Sequence, residues 1–168
     1  MRDPCQSDLV RTPHCTAAAG WLWTQQNPPA STDENLSGKW MLFPRCEQAV
    51  PAWQAVVQAA RAGQIWQAKI APQATSNGHL ICVYTPDFTD QPGVETVAVL
   101  LDDLGLAQRR LYYKPDIFTY AGIYNSTAGR KERASIYEYL PGQRRIEIAA
   151  AALNRARELL AATTGPTA

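Results

Sequence analysis

The feature that most restricts this chain's fold is how its apolar residues are parcelled into short runs closed by prolines. Gly38-Lys39-Trp40-Met41-Leu42-Phe43 stops at Pro44, Ile65 to Ala71 at Pro72, His79 to Thr85 at Pro86, and Arg110-Leu111-Tyr112-Tyr113-Lys114 at Pro115. Proline has no N–H to give to a ladder, so each run reads as a short strand with a fixed end. None approaches the roughly 18 apolar residues that a membrane-spanning helix needs. The first residues, MRDPCQSDLVRTPHC, contain no continuous hydrophobic segment like that of a signal peptide. No membrane partner is expected, and the cytoplasm is the expected compartment.

Between these runs the apolar period changes. From Glu47 to Ala62, Val50, Trp53, Val56, Val57 and Ala60 recur at three- and four-residue spacings, with Pro51 in the first turn and Gly63 as a stop. That predicts a helix with one buried face. A second helix is predicted after Thr89, with Val94, Val97, Leu100, Leu101 and Leu104 on one side and Gly105 at its end. A third is predicted over about 144–162, burying Ile146, Ala149, Ala150, Leu153, Ala156 and Leu160. Ile117–Tyr124 and Ser135–Leu140 read as further strands. The resulting order predicts an α+β fold, a mostly antiparallel sheet with helices packed on one face.

Residues 1–36, rich in Pro, Gln, Asn, Ser and Thr, read as a loosely ordered N-terminal arm anchored by Trp21-Leu22-Trp23. Residues 37–163 read as a single α+β domain and 164–168 as a disordered tail. A chain of 168 residues buries roughly 70% of its unfolded surface, enough for a core without staples. Sixteen Lys+Arg against fifteen Asp+Glu leave a net charge of +1, which argues against a duplex DNA partner while leaving room for a local basic pocket. Cys5, Cys15, Cys46 and Cys82 form no CxxC pair, and the spacing of Cys5, His14 and Cys15 matches no standard metal site. Cys82, inside Leu80-Ile81-Cys82-Val83-Tyr84, reads as a buried thiol. No metal or cofactor is expected.

The chain lacks GxSxG, GxxxxGK[ST], GxGxxG and HExxH, and its two histidines, His14 and His79, are too few for a multi-histidine site. Polar and aromatic residues concentrate instead between Tyr112 and Tyr124, followed by Arg130-Lys131-Glu132-Arg133. If Tyr113 faces the core, alternation puts Tyr112 and Lys114 on the opposite face. A lysine walled by aromatics either titrates low enough to act as a base or stays charged and holds a phosphate. Arg130, Lys131 and Arg133 are candidates to close over an anion. Asp116, Tyr113, Tyr120, Tyr124 and Trp66 are candidate ligand contacts, Lys69 is a further candidate cation of the site, and His79 is a candidate proton shuttle. Asp87 and Asp90 read as caps of the second helix. Trp40 and Trp53 read as core, and Arg144, Arg145, Arg155 and Arg157 as a basic face on the last helix that would suit an adaptor.

Three blocks carry a resemblance: Ser37-Gly38-Lys39-Trp40-Met41-Leu42-Phe43, His79 to Asp90, and Tyr113-Lys114-Pro115-Asp116-Ile117-Phe118-Thr119-Tyr120-Ala121-Gly122-Ile123-Tyr124. In wording and order they resemble the basophilic-leukaemia-expressed protein family, over about residues 20–140. The resemblance implies a curved antiparallel sheet backed by helices, like that of the cap-binding translation initiation factor 4E. Family members have also been labelled phosphothreonine lyases. By that resemblance Lys114 would be the base, Lys69 or His79 the acid, and Arg130, Lys131 and Arg133 the phosphate clamp. Lys69 is followed by Ile70 and Ala71 rather than by that lyase motif's aromatic residue and histidine. The expected ligand is a phosphorylated small molecule, peptide or nucleotide, bound with or without elimination of phosphate. A cap-like RNA end and a protein partner are the alternatives.

Overall fold

The computed structural model describes residues 4–25, 27, 33–124 and 133–165. Its elements are α1 (Pro4–Val10), β1 (Cys15–Ala18), β2 (Trp21–Thr24), β3 (Gly38–Leu42), α2 (Cys46–Arg61), β4 (Gln67–Ile70), β5 (Ile81–Thr85), α3 (Gln91–Asp103), β6 (Leu111–Pro115), α4 (Asp116–Tyr120), β7 (Tyr137–Leu140), β8 (Arg145–Ile148) and α5 (Ala150–Thr163). The fold is α+β. All strand pairs are antiparallel in one curved, unclosed sheet, ordered β1-β2-β4-β5-β3-β6-β7-β8. Among the described residues no helix is long and apolar enough to cross a membrane.

The register separates the two faces cleanly. Ala68, Val83, Trp40, Tyr113, Tyr137 and Ile148 are successive cross-strand partners from β4 to β8, and the first five are buried. This row packs toward the helices. The Trp40 indole donates to the Val94 carbonyl of α3 at 3.0 Å, and Tyr137 donates to the Phe88 carbonyl just before it. Tyr113 lies over Gly38, where an added Cβ would sit 2.6 Å from the Tyr113 ring. Glycine is therefore required there by a ring packed against bare backbone rather than by a turn. The Tyr113 hydroxyl pairs with Thr85 at 2.6 Å, which satisfies the polar tip of an otherwise apolar core residue.

The structure differs from the sequence-based expectation at four places. The N-terminal segment is built into the fold: β1 and β2 extend the sheet, and Leu9 of α1 is fully buried. Ile117 to Tyr120 lie within the short helix α4, not a strand. Residues 145–148 form edge strand β8, so the last helix starts at Ala150. Arg144 and Arg145 accordingly sit at a turn and on a strand. Arg144 pairs with Asp103, and on α5 itself Arg155 lies near Glu158.

Candidate functional site

The far face of the sheet has a different chemistry. One continuous row, Thr16, Trp23, Lys69, Cys82, Met41, Tyr112, Glu138 and Glu147, crosses all eight strands, each residue opposite the next. A second row beside it runs Gln67, Tyr84, Lys39 and Lys114. Three of the chain's four lysines thus converge on the middle of one sheet face.

Each lysine is held differently. Lys39 Nζ donates to Asp116 Oδ1 and, at 3.3 Å, to Thr119 Oγ1, both on α4. Asp116 also accepts from Ser37 Oγ at 2.7 Å, so its carboxylate is fixed from two sides. Lys69 Nζ lies 4.0 Å from the Trp21 ring centre, 4.9 Å from Trp23 and 5.8 Å from Tyr84. Lys114 Nζ lies 3.7 Å over the Tyr124 ring. Among the described residues, neither Lys69 nor Lys114 has a carboxylate within ion-pair distance.

Burial and mutual repulsion set the protonation of this cluster. Lys114 is only 4% exposed. Loss of hydration, and then the Lys39 charge on the neighbouring strand, bring its pKa down to about 8. Loss of hydration also lowers Lys69. The Cys82 thiol between them is pushed up to about 11 by burial, against the pull of the lysines. It stays protonated and serves as an apolar floor. Like charges directly opposed across two strands cost stability. Here Lys39 faces Lys114, and Asp116 offsets one of the two.

The expected residues fall into separate places. Lys69, Lys114, Asp116 and Tyr124 come together on the far face, and Tyr120 lies exposed at the end of α4 beside it. Tyr113 points the other way, into the core, because alternation gives the far face to Tyr112 and Lys114. His79 is fully buried against Cys5 and the Ala71 carbonyl, on the helix side of the sheet. Trp66 lines a small hollow of about 80 Å³ with Tyr84, Thr85 and Asp87. Arg133, with Arg110, is engaged by the buried Glu138 carboxylate. Arg130 and Lys131 lie outside the described residues. Lys39, Trp21 and Tyr84 were missed by sequence reasoning. The alternation Gly38-Lys39-Trp40 puts Lys39 on the far face, but only the order β5-β3-β6 places it beside Lys114.

A family model described as basophilic leukemia-expressed protein Bles03 matches residues 28–122, more than half of the chain. The chain belongs to this family. The match contains β3 through α4, and so all three clustered lysines and Asp116. Trp21 and Trp23, which wall Lys69, precede it.

Proposed function

We propose that the far face of the sheet binds a phosphate-bearing ligand, with Lys39, Lys69 and Lys114 meeting the phosphate and the surrounding rings packing against the rest of the molecule. The observation that carries this reading is the convergence of three lysines of which, among the described residues, one alone is paired with a carboxylate, Lys39 with Asp116. With Lys39 offset by Asp116, Lys69 and Lys114 leave a formal charge of about +2, which matches a phosphate monoester dianion. In the absence of such a ligand, two desolvated cations are an electrostatic cost, an arrangement characteristic of binding sites. Charge complementarity would recover that cost on binding. We place the protein in the cytosol, where its cysteines would remain thiols.

A second reading rests on Lys114. With a pKa of about 8, a substantial fraction of its amine is neutral just above neutrality. It is thus suited to take the α-proton of a phosphorylated Ser or Thr residue. In that step the lysine amine takes the proton, the C–H electron pair forms the Cα=Cβ π bond, and phosphate leaves with the electron pair of the broken Cβ–O bond. Lys39 and Lys69 would hold the leaving group, and Lys69 replaces the deeply buried His79 as the nearby proton donor. A cap-like base sandwich has less support. Trp23 and Tyr84 stack with centroids 6.1 Å apart, whereas a base slotted between two rings needs roughly 7 Å, two contacts of about 3.5 Å.

Calorimetry with a phosphothreonine peptide, its unphosphorylated twin and a nucleoside triphosphate separates these readings. Binding that requires phosphate and is weakened by Lys114→Met supports the proposal. A peptide product lighter by phosphoric acid supports elimination as well. Equal behaviour of the phosphorylated and plain peptides, together with no nucleotide binding, contradicts a phosphate site.

A further inference from the structure

Away from the lysine face, three residues far apart in sequence meet behind the sheet: Cys5 of α1, Cys46 at the start of α2, and His79 just before β5. Their ligand atoms all lie within 4.8 Å of one another. Cys5 Sγ is 3.4 Å from His79 Nε2. In a tetrahedral zinc site, with Zn–S about 2.3 Å and Zn–N about 2.0–2.1 Å, neighbouring sulfur and nitrogen ligands stand roughly 3.6 Å apart. The observed separation is near that edge.

The imidazole is built into position. His79 Nδ1 lies 3.1 Å from the Ala71 carbonyl, so its proton is on Nδ1 and the Nε2 lone pair faces the thiols. Such a carbonyl partner is the usual outer support of a metal-bound histidine, fixing tautomer and ring orientation together. The backbone holds the same arrangement. His79 N–H donates to the Pro44 carbonyl at 2.9 Å. Gly78, at φ +104°, lies so close against that carbonyl that a Cβ would collide with it. Only glycine lets the 75–78 turn press residue 79 against residues 44–46.

We propose that Cys5, Cys46 and His79 form a binding site for a thiophilic cation of the zinc type. Two thiolates and one neutral imidazole around a divalent cation sum to zero charge. That suits a position where His79 is wholly buried and Cys5 nearly so. Binding would release a proton from each cysteine thiol, while His79 would bind without losing one. Cys46 is only partly buried and lines an open groove with Phe43, Pro44, Arg45 and Asn77. That groove would provide an entry path and a fourth position for water or another donor.

Cobalt titration of the full, chelator-stripped chain under a non-thiol reductant tests this. The expected result is one cobalt per chain, with a thiolate-to-cobalt charge-transfer band that zinc abolishes. Alkylation should slow at Cys5 and Cys46 while Cys15 still reacts. Cys46→Ala, a one-atom truncation at a partly buried position, should lose the band and weaken binding at least about tenfold. His79→Gln should do the same where it folds. A wild-type chain that gives no charge-transfer band overturns the proposal, as does a folded Cys46→Ala chain that binds cobalt as the wild type does.

Discussion

Lys39 and Lys114 face each other across β3 and β6, yet removing them should have opposite consequences. Lys39→Met strands the Asp116 carboxylate, which is buried and among the described residues retains only Ser37 as a side-chain partner. Breaking a buried pair from one side typically costs about 3–5 kcal/mol, a loss that denaturant unfolding would register. Lys114→Met removes a desolvated cation with no carboxylate partner among the described residues, so its unfolding midpoint should equal or exceed the wild type's. The pH dependence follows. The folded pKa of Lys114 is about 8, below the ordinary lysine value of 10.5. Between those values the unfolded chain binds more protons, so this group's contribution to stability increases as pH rises. Lys69, lowered in the same way, adds to the trend. Cys82, raised to about 11 from 9.0, opposes it at the upper end of that window. Lys114's own part is therefore read from the difference between wild type and Lys114→Met. That difference should move in favour of the wild type from pH 8 to 10, and a flat difference would refute the assignment.

Among the elements, the N-terminal helix is the sharpest test of whether the N-terminal segment is built into the fold. α1 is seven residues long, too short to hold itself together in water. It is kept by packing on α2, with Leu9 fully buried. Leu9→Ala should cost about 2–5 kcal/mol, the usual range for a core leucine. A loose arm would lose almost nothing, so a thermal melt distinguishes the two. The proline-closed runs became β3 to β6, and the helices with sustained three- and four-residue spacing became α2 and α3, because period and punctuation are local signals. The misses have local causes as well. Ile146, Ala149, Ala150 and Leu153 satisfy a helical spacing, but Arg145-Ile146-Glu147-Ile148 also alternates, and pairing with β7 decides for the strand. α1 and α4 are too short for periodicity to reveal, and tertiary packing rather than propensity holds them.

At the scale of the whole molecule, the sheet order makes the site. β3 lies between β5 and β6, and β4 lies outside β5, so Lys39, Lys69 and Lys114 converge only through pairings between strands distant in the chain. From sequence, alternation around Tyr113 sends Lys114 to the far face. The same reasoning could not bring Lys39 to it, nor show that Trp21 and Trp23 arrive from the N-terminus to enclose Lys69. It also left His79 among the candidate proton donors, since nothing local reveals that this strand-leading histidine turns toward Cys5. The central claim is that these lysines act together on phosphate, and the chain's four lysines make that directly measurable. Carbon-13 labelling of lysine Cε gives a small set of signals, assignable by substitution, to follow during a pyrophosphate titration. The account predicts that the Lys39, Lys69 and Lys114 signals move along one shared saturation curve, and that Lys114→Met weakens the curve reported by the other two. Signals from these three that stay fixed at every pyrophosphate concentration that leaves the chain folded would contradict it.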